Sequence, residues 1–252
     1  MQRYFAINKN LELEHSDYHH IKNVMRMKPG DIIEVVYDGV INKCKLNSDY
    51  TYTIISKEKK NISNKKIIVA FSMLKEQKLD YLFQKSTEVG AYEFVPLITK
   101  RSLIKIDSKK SDNKISRWNK IVKEASEQSF RSFKPIINGI TDIKNLVNLD
   151  ADLKLVLTLT EKTKKIKKVL QKNNKCGRIL LVFGPEGGFD PKEEEVLIKN
   201  GFSSVSLGEN VLRAETAVVS AISMIKYEFM RWVLWKNYLH RYLILMIIFT
   251  II

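Results

Sequence analysis

The sequence predicts a two-part α/β protein, a small β-rich unit followed by a larger layer of parallel strands flanked by helices. Three observations predict it. Residues 1 to about 65 hold short runs rich in Val, Ile, Tyr and Thr, separated by turn dipeptides. From Ile67 onward, apolar runs of strand length alternate with stretches of helical periodicity. Between the two lies Lys57 to Lys66, a polar, charge-dense boundary. With 252 residues, the chain has enough length for one large domain or two ordinary ones.

In the first unit, strands are expected at Gln2 to Ile7, Asp31 to Tyr37, Val40 to Leu46 and Tyr50 to Lys57, with a short helix at His19 to Met25. Pro29-Gly30 and Asp38-Gly39 supply turn chemistry. This is a small β-barrel pattern. In the second unit, strands fit Ile67 to Phe71, Glu93 to Leu97, Ile136 to Ile140, Leu153 to Leu159, Ile179 to Phe183 and Ser203 to Leu207. Helices fit Leu79 to Val89, Ile115 to Phe130, Thr163 to Gln171, Lys192 to Asn200 and Thr216 to Trp232, with one more short helix at Thr141 to Leu149.

Helical faces explain most of the apolar residues. Leu79, Leu82, Phe83, Ser86 and Val89 share one face, and Gly90 is placed to cap the helix. Trp118, Ile121, Val122 and Ala125 do the same in the next helix. These stripes are core. The stretch Lys162 to Lys175 carries seven lysines in fourteen residues, which reads as a solvated basic face with RNA contact as the alternative.

The chain's chemistry concentrates between Arg178 and Ala217. Ile179 to Phe183 is an apolar run fit for a strand buried on both faces, and it stops at Gly184-Pro185-Glu186-Gly187-Gly188. Asp190, Pro191 and Glu193 are placed as N-cap, first helical residue and capping-box acid, and Gly201 closes that helix. A second strand ends at Leu207-Gly208, whose loop carries Arg213 and Glu215 into the last helix. Two strands that each end in a glycine loop suit a ligand crevice outside the carboxyl ends of a sheet, with two tight turns joining βα units as the alternative. The spacing matches neither G-x-G-x-x-G nor the Walker loop, which argues against an ordinary dinucleotide or nucleotide-triphosphate site.

The net charge of +15, from 43 basic against 28 acidic residues, calls for an anionic partner, with nucleic acid first. Cys44 and Cys176 form no C-x-x-C pattern, which suggests a reducing, cytoplasmic setting without structural zinc. His15, His19, His20 and His240 match no ligand spacing, so no metal is expected. No signal peptide is read at the N-terminus. The apolar stretch Val233 to Ile252 includes Lys236, His240 and Arg241, and reads as an appendage without membrane contact.

Gly184-Pro185-Glu186-Gly187-Gly188-Phe189, followed by Leu207-Gly208 and Leu212-Arg213-Ala214-Glu215-Thr216-Ala217, resembles the RsmE family of SPOUT-class RNA methyltransferases. Glu124-Ala125-Ser126-Glu127-Gln128-Ser129-Phe130-Arg131, Gln84 to Gly90 and Lys100-Arg101-Ser102 are similar to further signatures of that family, as are His20, Val24 to Arg26 and Gly30-Asp31 to its first domain. The resemblance implies a PUA-like β-barrel over 1–65 that helps hold RNA, and a SPOUT domain over 66–232 whose C-terminal segment threads a trefoil knot. Residues 233–252 lie outside it.

The implied reaction is methylation of N3 of one uridine in 16S rRNA by S-adenosylmethionine, on the small ribosomal subunit, by a homodimer whose cofactor cleft lies at the subunit interface. Leu159, Gly184, Pro185, Glu186, Gly187, Gly188, Leu207, Gly208 and Leu212 are then the expected cofactor contacts. Arg213 is the candidate for positioning uracil or stabilising its developing oxyanion, and Glu215 for orienting Arg213 or acting as base. An ion pair of Arg213 with Glu215 or Glu186 is the structural alternative. Arg3, Arg26, Arg101, Gln128 and Arg131 are the expected RNA contacts, with Lys28 beside them. Where family members commonly carry Pro-Arg after Leu-Gly, this chain has Glu209-Asn210. A methyltransferase of another RNA position, or a non-catalytic RNA-binding or ribosome-assembly factor, are the alternatives on the same fold.

Overall fold

The computed structural model describes residues 1–60, 64–102, 108–158 and 163–229. In the first unit β1 (Gln2–Phe5) pairs parallel with β2 (Ile32–Tyr37), which pairs antiparallel with β3 (Val40–Leu46) and through it with β4 (Tyr52–Lys59). Tyr37 faces Val40 across a two-residue loop in which Asp38 and Gly39 have φ of 45° and 74°. That is the geometry of a type I′ hairpin, and it accounts for this Asp-Gly pair. The expected barrel takes the form of a sheet in the order β1-β2-β3-β4, with no pairing between β4 and β1 among the described residues. The short helix begins earlier than expected, as α1 (His15–His19) running into a π-helical turn over His20–Val24. Its start is set by a reciprocal capping box between Glu14 and Asp17, a Glu-x-x-Asp variant of the usual sequence signal. Tyr4, Ile21, Ile33, Val35, Cys44 and Leu46 form the core beneath it.

The second unit is an eight-stranded sheet, and every pairing in it is parallel. In chain order its elements are β5 (Lys66–Ser72), α2 (Glu76–Val89), β6 (Glu93–Ile98), α3 (Ser108–Gln128), β7 (Ile136–Ile137), β8 (Thr141–Asp142) and α4 (Ile143–Leu146). There follow β9 (Leu153–Leu157), β10 (Lys164–Lys165), α5 (Ile166–Lys172), β11 (Arg178–Phe183), α6 (Pro191–Lys199), β12 (Ser203–Ser206) and a last helix, α7, over 214–229. The sheet order is β10-β12-β9-β11-β5-β6-β7, with β8 beside the end of β6.

Strand parity divides the core in two. Ile67, Val69 and Phe71 of β5 and Ile179, Leu181 and Phe183 of β11 face one layer, with Leu82 and Phe83 of α2, Trp118 and Val122 of α3, and Val218, Ile222 and Ile225 of α7. Ile68, Ala70, Leu180 and Val182 face the other, with Ile143 and Leu146 of α4 and Leu197 of α6. Strands buried on both faces lose the polar alternation of a half-exposed strand, which is why they read as continuous apolar runs. Phe83 is the hub of the first layer, with ring centroids 5.0 Å from Phe94, 5.2 Å from Trp118 and 5.4 Å from Phe71.

Several boundaries differ from the sequence expectation for local reasons. The expected strand Ile136 to Ile140 becomes two-residue β7, after which the Asn138 side chain bonds Glu93 and the Phe94 carbonyl. The helix expected at Thr141 to Leu149 shrinks to α4, because Asp142 first pairs as strand and then caps it by accepting from the Asn145 amide at 2.9 Å. α3 begins seven residues before Ile115, in a polar stretch that carries no apolar period. In α5 the side chains of Ile166, Val169 and Leu170 are buried while Lys167, Lys168 and Lys172 point to solvent. Trp232 and the tail 233–252 lie outside the described residues, and no helix among the described residues is long and apolar enough to cross a membrane.

The two units are joined through α3. Lys123, with only 8 % of its surface exposed, pairs with the buried Asp17 of α1 and lies 3.2 Å from Glu127 and 3.4 Å from Glu14. Glu127 accepts from the Phe5 amide of β1 at 3.1 Å. Arg3 pairs with Glu34, donates to the Phe130 carbonyl and stacks its guanidinium over the Phe130 ring. Burial pushes the Glu127 carboxyl up to about 7; Lys123 opposes the shift and Asp17 adds to it. Burial pulls the Lys123 ammonium down, but the hydrogen bond to Asp17 and the surrounding carboxylates reverse this and hold it above its ordinary value.

Two predictions follow from this joint. Lys123→Met leaves Asp17 buried and unpaired, and lowers stability by about 3–5 kcal/mol in a urea titration. The raised Glu127 carboxyl keeps a proton in the folded state that the unfolded chain releases near 4.5. Its stabilising contribution is complete below that value and is lost as pH rises through about 7. The Tm of the unmodified chain should therefore carry a downward component between about pH 5 and pH 8, which Glu127→Gln removes.

Candidate functional site

The strands of the large sheet are in a register that brings their carboxyl ends level. Phe183 of β11 faces Phe71 of β5 and Leu157 of β9, and Leu157 faces Val205 of β12. Beyond β11 and β12 the chain leaves the sheet in loops, and between those two loops lies a cleft of about 770 Å³. A cleft of this size at the carboxyl ends of parallel strands is where such sheets take small ligands.

One wall is the glycine loop after β11. Gly184 lies under the Phe189 ring, and a Cβ there would stand 3.1 Å from two ring carbons. The absence of a side chain at 184 thus lets Phe189 fold back and bury itself. The Gly188 amide bonds the Pro185 carbonyl at 2.8 Å to close a tight turn, with Gly188 at φ 68°. α6 then starts as the sequence signals, since Asp190 accepts from the Lys192 amide and Glu193 accepts from the Asp190 amide in a capping box. The opposite wall is the loop after β12, with Leu207, Asn210, Val211, Leu212, Arg213 and Ala214. The floor is Leu157, Phe183 and Val205, with Thr158 at the end of β9.

The charged groups on the lining are Lys78, Glu186, Glu194 and Arg213. Lys78, from the first turns of α2, pairs with Glu186 across the cleft. The Lys78 hydrogen bond and charge hold the Glu186 carboxyl below its ordinary value, with Lys75 and Arg213 adding to the effect. Arg213 itself has no hydrogen-bond or ion-pair partner for its side chain among the described residues. The ion pair considered from sequence, with Glu186 or Glu215, is therefore not formed. Glu215 stands in the first turn of α7, off the cleft lining, with its Oε2 buried and unbonded.

The expected cofactor contacts sort as follows. Gly184, Pro185, Glu186, Gly188, Leu207 and Leu212 line the cleft. Gly187 and Gly208 belong to the same loops without lining it, and Leu159 lies outside the described residues. Sequence reasoning missed Lys78, Thr158, Asn210 and Val211. The last two sit inside the motif interval and could have been found from it. Lys78 could not, because it lies 108 positions from its partner Glu186.

The expected RNA contacts divide. Arg26, at φ 51° after the π turn, Gln128 and Arg101 are exposed. Arg3 and Arg131 are corrections, because their donors are spent inside the protein. Arg3 is only 4 % exposed in its pair with Glu34. Arg131 donates to the carbonyls of Thr87, Ala91 and Phe133, which closes the end of α2, and burial pushes its guanidinium down to about 10.

The cavity is large enough for a nucleoside-sized ligand. Leu157, Leu207, Leu212 and Ala214 offer apolar surface for a flat base, and the glycine loops let it approach main-chain amides and carbonyls. Residues 61–226 match the RNA methyltransferase domain and residues 13–49 the RNA methyltransferase PUA domain. The chain is 35 % identical over 254 residues to the ribosomal RNA small subunit methyltransferase E of Bacillus subtilis, covering 90 % of this chain and 97 % of that protein. It is 32 % identical over 220 residues to that of Mesomycoplasma hyopneumoniae, covering 86 % and 92 %. A Legionella pneumophila protein named as a methyltransferase, solved with the cofactor SAM bound, superposes with a TM-score of 0.81 at 27 % identity over 90 % of this chain and 97 % of that one.

The packing around Gly184 makes a direct prediction. Gly184→Ala forces the Phe189 ring outward and costs about 1–3 kcal/mol by overpacking, read as a lower urea midpoint at unchanged slope.

Proposed function

This chain belongs to the ribosomal RNA small subunit methyltransferase E family, and on that premise we propose that it methylates N3 of a uridine in 16S rRNA with S-adenosylmethionine as donor. The observation that carries the reading is Arg213, unpaired on the wall of a cleft formed by glycine loops at the ends of β11 and β12. When bound there, S-adenosylmethionine supplies an electrophilic methyl carbon on a sulfonium, so the chemistry needs no metal.

The rest of the work falls to this chain's residues. N3 lies on the Watson–Crick edge, so the uridine is presented unpaired or extruded. Its proton is only weakly acidic: loss of that proton to a base or water leaves negative charge spread over N3 and the uracil oxygens. That charge would be consumed as N3 bonds the methyl carbon while the carbon–sulfur bond breaks and its electron pair stays on the departing thioether. Arg213, which has no carboxylate partner among the described residues, is the side chain we assign to hydrogen-bond that charge. Glu186 stays ionised under the hold of Lys78, so the two together add no net charge to the cleft. Glu215 is left out of the reacting set, since it neither lines the cleft nor orients Arg213.

The wider reading extends to the assembly. The protein works in the cytoplasm on the small ribosomal subunit, with Arg26, Lys28 and Gln128 among its RNA-facing side chains. It acts as a homodimer with a C-terminal trefoil knot. Val211, 75 % exposed on the cleft loop, and Met224 and Tyr227, exposed on α7, are apolar surface that a second copy would cover. Asn210, in place of the arginine common in the family, removes one positive charge from the cleft mouth.

The reading is tested on small subunits purified from cells lacking this modification. Incubation with the protein and S-adenosylmethionine should produce 3-methyluridine by nucleoside mass spectrometry, and Arg213→Ala should lower kcat by about 10²–10³-fold. Cofactor binding without any 3-methyluridine would keep the fold and overturn the substrate.

A further inference from the structure

The loop that follows β6, residues 99–102, makes contacts that the reaction just described does not use. Its base is pinned by three mutually bonded hydroxyls. Ser72 Oγ lies 2.6 Å from Thr99 Oγ1 and 2.8 Å from Ser102 Oγ, and Thr99 Oγ1 lies 2.9 Å from Ser102 Oγ. Ser102 Oγ also accepts from the Thr99 amide at 3.0 Å. From this base the loop reaches the segment carrying the glycine turn at three points. The Lys100 amide donates to Glu193 Oε1 at 2.8 Å, Lys100 Nζ to Asp190 Oδ2 at 2.7 Å, and Arg101 Nη1 to the Gly187 carbonyl at 2.9 Å.

The third contact has a geometric consequence. The Gly187 carbonyl and the Gly188 amide belong to one peptide unit, and in a trans peptide they point in opposite directions. Arg101 holds the carbonyl end of that unit, and the Pro185 carbonyl holds the amide end at 2.8 Å. The plane between two glycines, which little else would restrain, is therefore fixed from both sides. Both neighbouring faces of this turn, Pro185-Glu186 and Gly188, line the cleft.

We propose that Arg101 is a positioning residue for the cofactor: by holding the Gly187 carbonyl from outside the cleft it sets the Gly187–Gly188 peptide plane and with it the shape of the binding wall. This departs from the role in RNA contact expected for Arg101 from the sequence, and it rests on the reading of the cleft as an S-adenosylmethionine site. The guanidinium does not touch the ligand. Its effect runs through the main chain.

The test measures S-adenosylhomocysteine binding by calorimetry in the absence of RNA, where an RNA contact cannot contribute. Arg101→Ala should weaken binding about tenfold, the loss expected for one hydrogen bond to a charged group. In turnover assays the KM for S-adenosylmethionine should rise by a similar factor while kcat at saturation stays within about twofold. Arg101→Lys, which keeps one donor, should recover most of the loss. Ser102→Ala, which loosens the loop's base without touching Arg101, should weaken binding in the same direction and guards against an Arg101→Ala chain that fails to fold. Wild-type affinity in Arg101→Ala, with a defect that appears only when RNA is present, overturns the proposal in favour of RNA contact. Failure of the unsubstituted protein to bind S-adenosylhomocysteine would instead overturn the cofactor reading on which the proposal stands.

Discussion

The constraint on which the rest depends is the register of β11 between β5 and β9. Six consecutive residue pairs tie Arg178–Phe183 to Lys66–Phe71, and five tie Ile179–Phe183 to Leu153–Leu157. In a sheet buried on both faces, a slip of one residue would exchange the side chains of the two core layers. The register is thus held by the burial of Ile179 and Leu181 on one side and Leu180 and Val182 on the other. Because it is held, Leu157, Phe183 and Val205 finish at one level, and the loops that follow β11 and β12 wall a cleft above them.

Around that cleft the structure separates two kinds of charge. Lys78 and Glu186 satisfy each other across it, while Arg213 has no carboxylate partner among the described residues. A guanidinium already neutralised by an ion pair has little to offer a developing anion, whereas an unpaired one carries its full field to the ligand. The glycine turn shows the same economy in the backbone. Its residues are permissive by nature, and the definition they lack is supplied by contacts from other elements, Lys78 at the Glu186 side chain and Arg101 at the Gly187 carbonyl.

The joint between the two units relies on buried charge. Lys123 is surrounded by Asp17, Glu14 and Glu127, drawn from two chain segments more than a hundred positions apart. Such a cluster is costly to break and specific in how it can form, so it fixes where the first unit sits on α3. The four residues closing α3, from Glu127 to Phe130, also carry the bonds to β1 through Phe5 and Arg3. A segment that resembles a family signature thereby serves in part as structural cement, and Arg131 at its end locks the end of α2.

What the sequence by itself determined is what local chemistry controls. Apolar period and turn residues marked the alternation of strands and helices, the Asp38-Gly39 hairpin, the Asp190–Glu193 capping box and the glycine loops, because each depends on backbone angles and neighbours within a few positions. Two loops of the cleft followed from the same stretch. Only the tertiary structure decided the strand order, which puts β12 between β10 and β9, and the partners of the charged side chains. Arg3, Arg101, Arg131 and Arg213 are equivalent as letters. One is buried against Glu34, one braces a carbonyl of the glycine turn, one closes a helix, and one lines the cleft without a partner among the described residues. The physical reason is that an arginine's role is set by what faces its guanidinium, and those groups come from elements that packing, not sequence proximity, brings together.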